Sequence, residues 1–509
     1  MKAIRVCGVL AAHGVPERER RGAKCVLRTR PSGRIVSPLL AARGFAPAIF
    51  AVFFVFAFAA CGKGKGKAPP PCAEHTWGEW AVKTAPTVNA DGEDEKSCTV
   101  CGDEETRTVY AAGTPGLAYG LINEGTAYRV RKGTVTSGAV VIPAFFRPVA
   151  GSEYLPVTEV GSPGDTSMFG NPSNGAFQDT NVTGVTFLAP SNITAINAYA
   201  FQNCAKLTSV TIPNSVTFIG NCAFWDCTVL TSVTIPNSVT NIEWGVFSDC
   251  TGLTSVTISA RVTEIYPIFR GCTNLTSVTI PDSVTHIHAG FEDTGIWNNT
   301  PDDSIVYADK WVVGVRGTLS SISIRDGTTG IADEAFRSKR FESVTIPNSV
   351  TSIGNNAFKD TGIWNNTPND SIVYADKWAV GVHGTLSSIS IRDGTTGIAD
   401  GAFRDQWQSL ASVTIPNSVT TIGNGAFWYC TALASVTIGN GVKTIGRRAF
   451  TMTKLTSVTV LAATPPSLVS GAFDNHAASL LIYVPAASVA AYKAAAGWNE
   501  YADRIAAIR

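Results

Sequence analysis

Charge is scarce in this chain: 16% of its 509 residues are Asp, Glu, Lys or Arg, and the formal net charge is +1. That composition excludes an acidic disordered tail, and 47 Gly and 26 Pro fall far short of a collagen. Histidine is scarcer, at six residues, which leaves few candidates for acid–base chemistry. Long apolar runs are nearly absent too. The longest, Phe45 to Ala60, has sixteen uncharged residues, short of the ~20 that span a bilayer. What charge there is lies unevenly: residues 1–60 carry ten Lys and Arg against Glu17 and Glu19, so without them the chain falls from +1 to −7. A chain that acidic is a poor partner for nucleic acid, whose binding relies on counterion release by basic residues.

The sixteen-residue run follows Arg43 and meets Cys61-Gly62 directly, the layout of an export signal. Phe58-Ala59-Ala60-Cys61 resembles a bacterial lipobox, with Phe58 where a Leu is usual, and so implies a lipid on Cys61 and a membrane-anchored protein at the cell surface or outer membrane. The following Gly-Lys-Gly-Lys-Gly-Lys-Ala-Pro-Pro-Pro can bury nothing and reads as a tether.

Cys72-x-x-His75 and Cys98-x-x-Cys101, 22 residues apart, offer four ligands of a closed tetrahedral site, so structural zinc is the expected cofactor. Trp77, Trp80, Val82 and Val88 are too few to build a core alone, and a staple is needed. A disulfide would serve in an exported protein, although it would leave His75 unused. The segment is similar to the C-x-x-H-x-W…C-x-x-C-G ribbons that accompany repeats in bacterial surface proteins.

Repetition dominates the rest. L-T-S-V-T-I-P-N-S-V-T-x-I-G-x-x-A-F-x-x-C returns with Leu207, Leu230, Leu253 and Leu275 at intervals of 23, 23 and 22 residues, and again at Leu319, Phe341, Leu386, Leu410, Leu433 and Leu455. This period and the Leu-x-x-Val-x-Ile core predict a leucine-rich-repeat solenoid. Leu207, Val210 and Ile212 alternate inward as a strand, Pro213 ends it, Asn214-Ser215 turns, and Val216, Ile219 and Ala223-Phe224 close a short irregular convex side. No unit can cover its own apolar edge, so the units must stack. Cys204, Cys227, Cys250, Cys272 and Cys430 recur where coils would place sulfurs ~5 Å apart, which leaves buried thiols or disulfides open, with buried thiols the simpler reading. SVTIPNSVTSIGNNAF (343–358) and its copies resemble the BspA-like leucine-rich-repeat family of bacterial surface proteins over roughly residues 170–509. That resemblance implies adhesion to host matrix proteins or to other cells.

Residues 296–336 reappear 67 positions later as 363–403, a duplication. In each, Ile305-Val306-Tyr307 and Trp311-Val312-Val313 flank Ala308-Asp309-Lys310, which predicts a hairpin in place of one coil. The chain thus divides into a leader (1–60), a lipidated cysteine and linker (61–71), a Cys/His ribbon-like module (72–112), a β lead-in (113–175), the repeat solenoid (176–460) and a C-terminal cap (461–509) with an Ala-rich helix closed by Trp498, Tyr501 and Ile505.

Catalysis needs residues that break a repeat, because identical coils in register give identical surfaces. No such constellation emerges, and the chain reads as a non-enzyme. His286 and His288, with Glu292 nearby, read as a solvated edge pair before they read as metal ligands. The repeat itself offers a face of outward hydroxyls, Ser209 and Thr211, Ser232 and Thr234, Ser255 and Thr257, Ser277 and Thr279. Such a face can bind proteins or glycans or simply be solvated. Trp225 and Trp428, just after the Ala-Phe pairs, are candidate exposed anchors. The expectation is protein–protein recognition at the cell surface, with a structural or glycan-binding envelope component as the alternative.

Overall fold

The computed structural model describes residues 77–99, 103–148, 152–161, 175–404, 406 and 409–508, all within the unit from Pro70 to Arg509. Cys61, Cys72, His75 and Cys101 lie outside the described residues.

Ala81–Thr84, Gly92–Ser97 and Glu104–Val109 form an antiparallel sheet. Apolar burial in it is limited: Val109 and Cys98 are buried, whereas Val82 is 68% exposed. Cations over rings hold it instead. Lys96 Nζ sits 4.8 Å and 4.7 Å from the ring centres of Trp77 and Trp80, and Arg107 lies 4.4 Å above Trp80 while its guanidinium meets Asp94 at 2.8 Å. Cys98 is buried at the end of this sheet, bridged to Trp77.

The lead-in is bonded into the array. Ala118–Ile122 pairs antiparallel with Ala127–Arg131, whose other edge runs parallel to Leu155–Val160. From there a ladder passes in register through Ala195–Ile196, Phe218–Ile219 and Asn241–Ile242. A second ladder holds the Ser-Val-Thr strands: Ser232, Val233 and Thr234 face Ser255, Val256 and Thr257, which face Ser277, Val278 and Thr279. The convex side expected to be irregular therefore carries a parallel ladder of its own. Two-residue strands suffice there because a β-branched Ile (196, 219, 242) fills the core and the preceding Thr bonds one coil back, as Thr217 N to Thr194 O at 2.8 Å.

Between the ladders the core is made of columns. Phe177, Phe201, Phe224 and Phe247 stack with ring centres 5.2, 5.3 and 5.6 Å apart, and Phe403, Phe427, Phe450 and Phe473 repeat the column at 4.8, 5.0 and 5.3 Å. The cysteines resolve as thiols: none of the described ones forms a disulfide. Cys204, Cys227, Cys250 and Cys272 each donate Sγ–H to the Phe carbonyl of the preceding coil, at 3.2, 3.2, 3.1 and 3.0 Å. Burial pushes the Cys204, Cys250 and Cys272 thiols up. Where the slot holds Thr294 or Thr361, the hydroxyl donates to the Phe carbonyl of its own coil at 2.6 or 2.8 Å. Cys and Thr in this slot thus each satisfy a buried Phe carbonyl, Cys that of the coil behind and Thr that of its own coil.

Both hairpins form as the duplication predicts. Ser304–Ala308 pairs antiparallel with Trp311–Arg316, and Ser371–Ala375 with Trp378–His383. The second strand of each then enters the parallel ladder, Trp311 opposite Gly330 and Trp378 opposite Gly397. The insertion is one-sided, because Asp333 N reaches past the first hairpin to Ile287 O at 2.9 Å, and Asp400 N past the second to Ile353 O at 2.9 Å.

At the C-terminus the helix Val489–Ala494 packs Tyr492 and, just after it, Trp498 into the core. The helix does not end the ladder. Ile505–Ala507 returns as a further parallel strand against Leu481–Val484, with Ile505 opposite Ile482. Trp498 continues the Phe column 6.0 Å from Phe473 and donates Nε1–H to Pro466 O at 2.7 Å.

The rings of Trp311 and Trp378 lie against bare backbone: a Cβ at Gly330 would stand 2.4 Å from Trp311 ring atoms. Gly330→Ala should lower stability by about 1–3 kcal/mol, whereas Gly184→Ala, where a Cβ meets nothing within 4 Å, should change it by less than about 0.5 kcal/mol. Urea unfolding of the two variants checks the difference.

Candidate functional site

Two surfaces offer themselves, the hydroxyl face and a cleft. On the first, Ser209, Thr211, Ser232 and Thr234 are exposed, and Ser232 and Thr234 continue in register to Ser255, Thr257, Ser277 and Thr279 with buried valines between them. Trp225 and Trp428 are only half-buried and already engaged. Trp225 Nε1–H donates to Asp249 Oδ2 at 2.7 Å, and Trp428 carries the Arg404 guanidinium 4.2 Å above its ring. The structure does not bring these two tryptophans together: Trp428 lines the cleft and Trp225 does not.

The cleft comes from a bend. Counted by repeat coils, with the two hairpin strands left out, Glu264–Ile265 and Thr444–Ile445 are six coils apart, with the strands beginning at His286, Gly330, Ser352, Gly397 and Thr421 between them. At about 4.8 Å per step a straight stack would separate them by about 29 Å. Yet Arg447 Nη1 meets Glu264 Oε1 at 3.3 Å, and Ser352 Oγ–H reaches Thr285 O at 2.7 Å. The hairpins, added on one side only, wedge that side open, and the opposite side closes on itself.

At the floor of the closed side sit His286, His288, Asp333 and Asp400, in a cleft of about 400 Å³ that Glu264, Tyr266, Trp428 and Arg447 also line. His286 is buried and His288 half-buried, so the two are not the solvated edge pair that the sequence suggested. Its Nδ1 lies 2.5 Å from Asp400 Oδ2, and its Nε2 lies 3.2 Å from both Asp333 Oδ2 and His288 Nδ1. His288 Nδ1 is 2.9 Å from the same Asp333 oxygen, and its ring stacks on Tyr266 at 4.6 Å. Backbone amides fix the carboxylates: Asn355 N donates to Asp333 Oδ1 at 2.6 Å and Asn424 N to Asp400 Oδ1 at 2.5 Å. The carboxylates come from Asp333 and Asp400 rather than from Glu292, which is exposed. Among the described residues, His286, His288 and Asp333 are the group whose donor atoms could hold a metal.

The electrostatics follow from the contacts. Burial disfavours a charged His286, but hydrogen bonds and charge from Asp333 and Asp400 outweigh it and raise the imidazole to about 10. Burial likewise disfavours an ionised Asp333, and the two imidazoles outweigh it and lower the carboxyl to about 2. Sequence reasoning missed this group because its members stand 45 and 114 residues apart. A signal was present: neighbouring coils carry Gly354 and Gly423 in the slot of His288, and Asn355 and Asn424 in the slot of Asp333 and Asp400.

Residues 172–296, 315–406 and 382–480 match the BspA type leucine-rich-repeat region, in six copies. The chain belongs to the BspA-type leucine-rich-repeat family. This BspA-type chain is similar to a leucine-rich cell surface protein of Faecalibacterium prausnitzii, at 24% identity over 74% of this chain and 89% of that one with a TM-score of 0.32. It is similar to a leucine-rich-repeat protein of Bacteroides ovatus at 21% identity, over 78% and 99% with a TM-score of 0.31. A leucine-rich-repeat protein of T. pallidum shares 26% identity over 37% and 91%, with a TM-score of 0.29. No curated protein matches the chain. Among the described residues no helix is long and apolar enough to cross a membrane.

In the absence of a cation, the stability due to His286 is full below its ordinary value of 6.5 and is lost as pH rises through about 10. That due to Asp333 is present above 3.8 and lost as pH falls through about 2. The urea midpoint of chelator-treated protein should therefore be highest between about pH 4 and 6.5 and decline above it. Asp400→Asn, which removes one of the groups facing His286, should flatten the alkaline decline.

Proposed function

We propose that this BspA-type protein is a non-enzymatic recognition scaffold, carried on the cell surface by a lipid on Cys61, that binds proteins of host matrix or of other cells. The observation that carries this reading is the in-register hydroxyl face: Ser232, Ser255 and Ser277 and the paired Thr234, Thr257 and Thr279 give a flat, repeated array of donors and acceptors on rigid strands. The cleft adds a second, chemically distinct patch of the same solenoid. Anchoring is supported by the lipobox-like Phe58 to Cys61 and the Gly/Lys/Pro tether behind it. A structural zinc on Cys72, His75, Cys98 and Cys101 belongs to the same reading, as the staple for a module with little apolar burial.

Cys61→Ser should move the protein from the membrane fraction of cells that express it to the soluble fraction, and protease shaving of intact cells should release repeat peptides from the unaltered protein. In binding to immobilised matrix proteins, replacing Thr234, Thr257 and Thr279 together by Lys should weaken affinity about tenfold or more while leaving the circular dichroism spectrum unchanged. Binding that disappears when the partner is deglycosylated would favour a glycan ligand. Repeat peptides protected in intact cells would overturn the surface reading.

A further inference from the structure

We propose that His286 Nε2, His288 Nδ1 and Asp333 Oδ2 bind a divalent zinc ion at the floor of the cleft. The three atoms form a triangle with edges of 3.2, 3.2 and 2.9 Å. Ligands about 2.0–2.1 Å from zinc stand about 2.9–3.4 Å from one another, between octahedral and tetrahedral angles, so an ion fits the triangle without movement of the coils.

The surroundings orient each ligand. Asp400 accepts from His286 Nδ1 at 2.5 Å, which turns the Nε2 lone pair inward, and Asp400 is itself held by the Asn424 backbone and side-chain amides at 2.5 and 3.1 Å. This carboxylate–histidine arrangement is how proteins fix a metal-binding imidazole. Asp333 spends Oδ1 on Asn355 N, leaving Oδ2 for the ion, and Tyr266 stacks against His288.

The residues also depart from the repeat where they must. The coil before the second hairpin carries Ser352 and Gly354 where the coil before the first carries His286 and His288, so the site occurs once although the Asp is duplicated. Three protein ligands leave a coordination position open toward the cleft. The ion would tie the coil before the first hairpin to the coil after it, with the coil after the second hairpin as outer support.

The full chain, stripped with chelator, is titrated with zinc chloride by calorimetry beside a His288→Gly/Asp333→Asn variant, whose two changes restore what neighbouring coils carry and so preserve the fold. Zinc on the cysteines of the N-terminal module is common to both chains. The unaltered chain should take up one equivalent more than the variant, and its cobalt form should show a d–d absorption, without an added thiolate charge-transfer band, that the variant lacks. Equal uptake by the two chains overturns the site. Asp400→Asn, which keeps all three ligands, should weaken that equivalent about 10- to 100-fold, and an unchanged affinity would also overturn it.

Discussion

Every coil of this protein leaves a strand edge of unpaired N–H and C=O groups, and the next coil must cover it in register. The rest of the architecture answers that constraint. The lead-in strand Leu155–Val160 covers the first edge, and the returning Ile505–Ala507 extends the last one beyond the helix. Register then aligns like with like: phenylalanines stack on phenylalanines, and thiols reach the carbonyl one coil back. A side chain that is modest alone becomes a column whose members support one another.

The hairpins are where that constraint is relaxed, on one side only. Trp311 and Trp378 cross above glycine, so the inserted strands enter the ladder closely, while Asp333 and Asp400 bond past them to the coils behind. Asymmetric insertion turns a straight stack into a bent one. One duplication therefore does two things: it supplies both wedges, and it supplies both carboxylates that meet His286 in the cleft the wedges create. A uniform solenoid cannot bring residues 183 positions apart into contact, as Glu264 and Arg447 are.

Much of this was legible in the sequence, because periodicity reports stacking directly. Leu207, Val210 and Ile212 announce the ladder of Ser-Val-Thr strands, and Val306 and Trp311 around Asp309 announce the hairpin. The ladder on the convex side was not legible, since two-residue strands such as Phe218–Ile219 are too short to show alternation, and their backbone partners lie a full coil away. The cleft was hidden for a related reason. A bend is a sum over several coils, and no local pattern encodes it. What the sequence did carry was substitution against the repeat, His288 in the slot of Gly220, Gly354 and Gly423 and Asp333 in the slot of Asn221, Asn355 and Asn424, and the consequence of that substitution depends on geometry that periodicity alone does not supply. The lipidation motif and three of the four ribbon ligands rest on the sequence alone, since Cys61, Cys72, His75 and Cys101 fall outside the described residues.

One-sided hairpins, and not the ion pair across its mouth, close the cleft. Spin labels carried on non-cysteine side chains in place of Glu264 and Arg447 remove that ion pair and report the distance between the two arms in solution. A distribution well below the straight-stack separation of about 29 Å is the predicted result. A peak at or beyond that separation would contradict the bend and, with it, the assembly of the histidine–aspartate cluster.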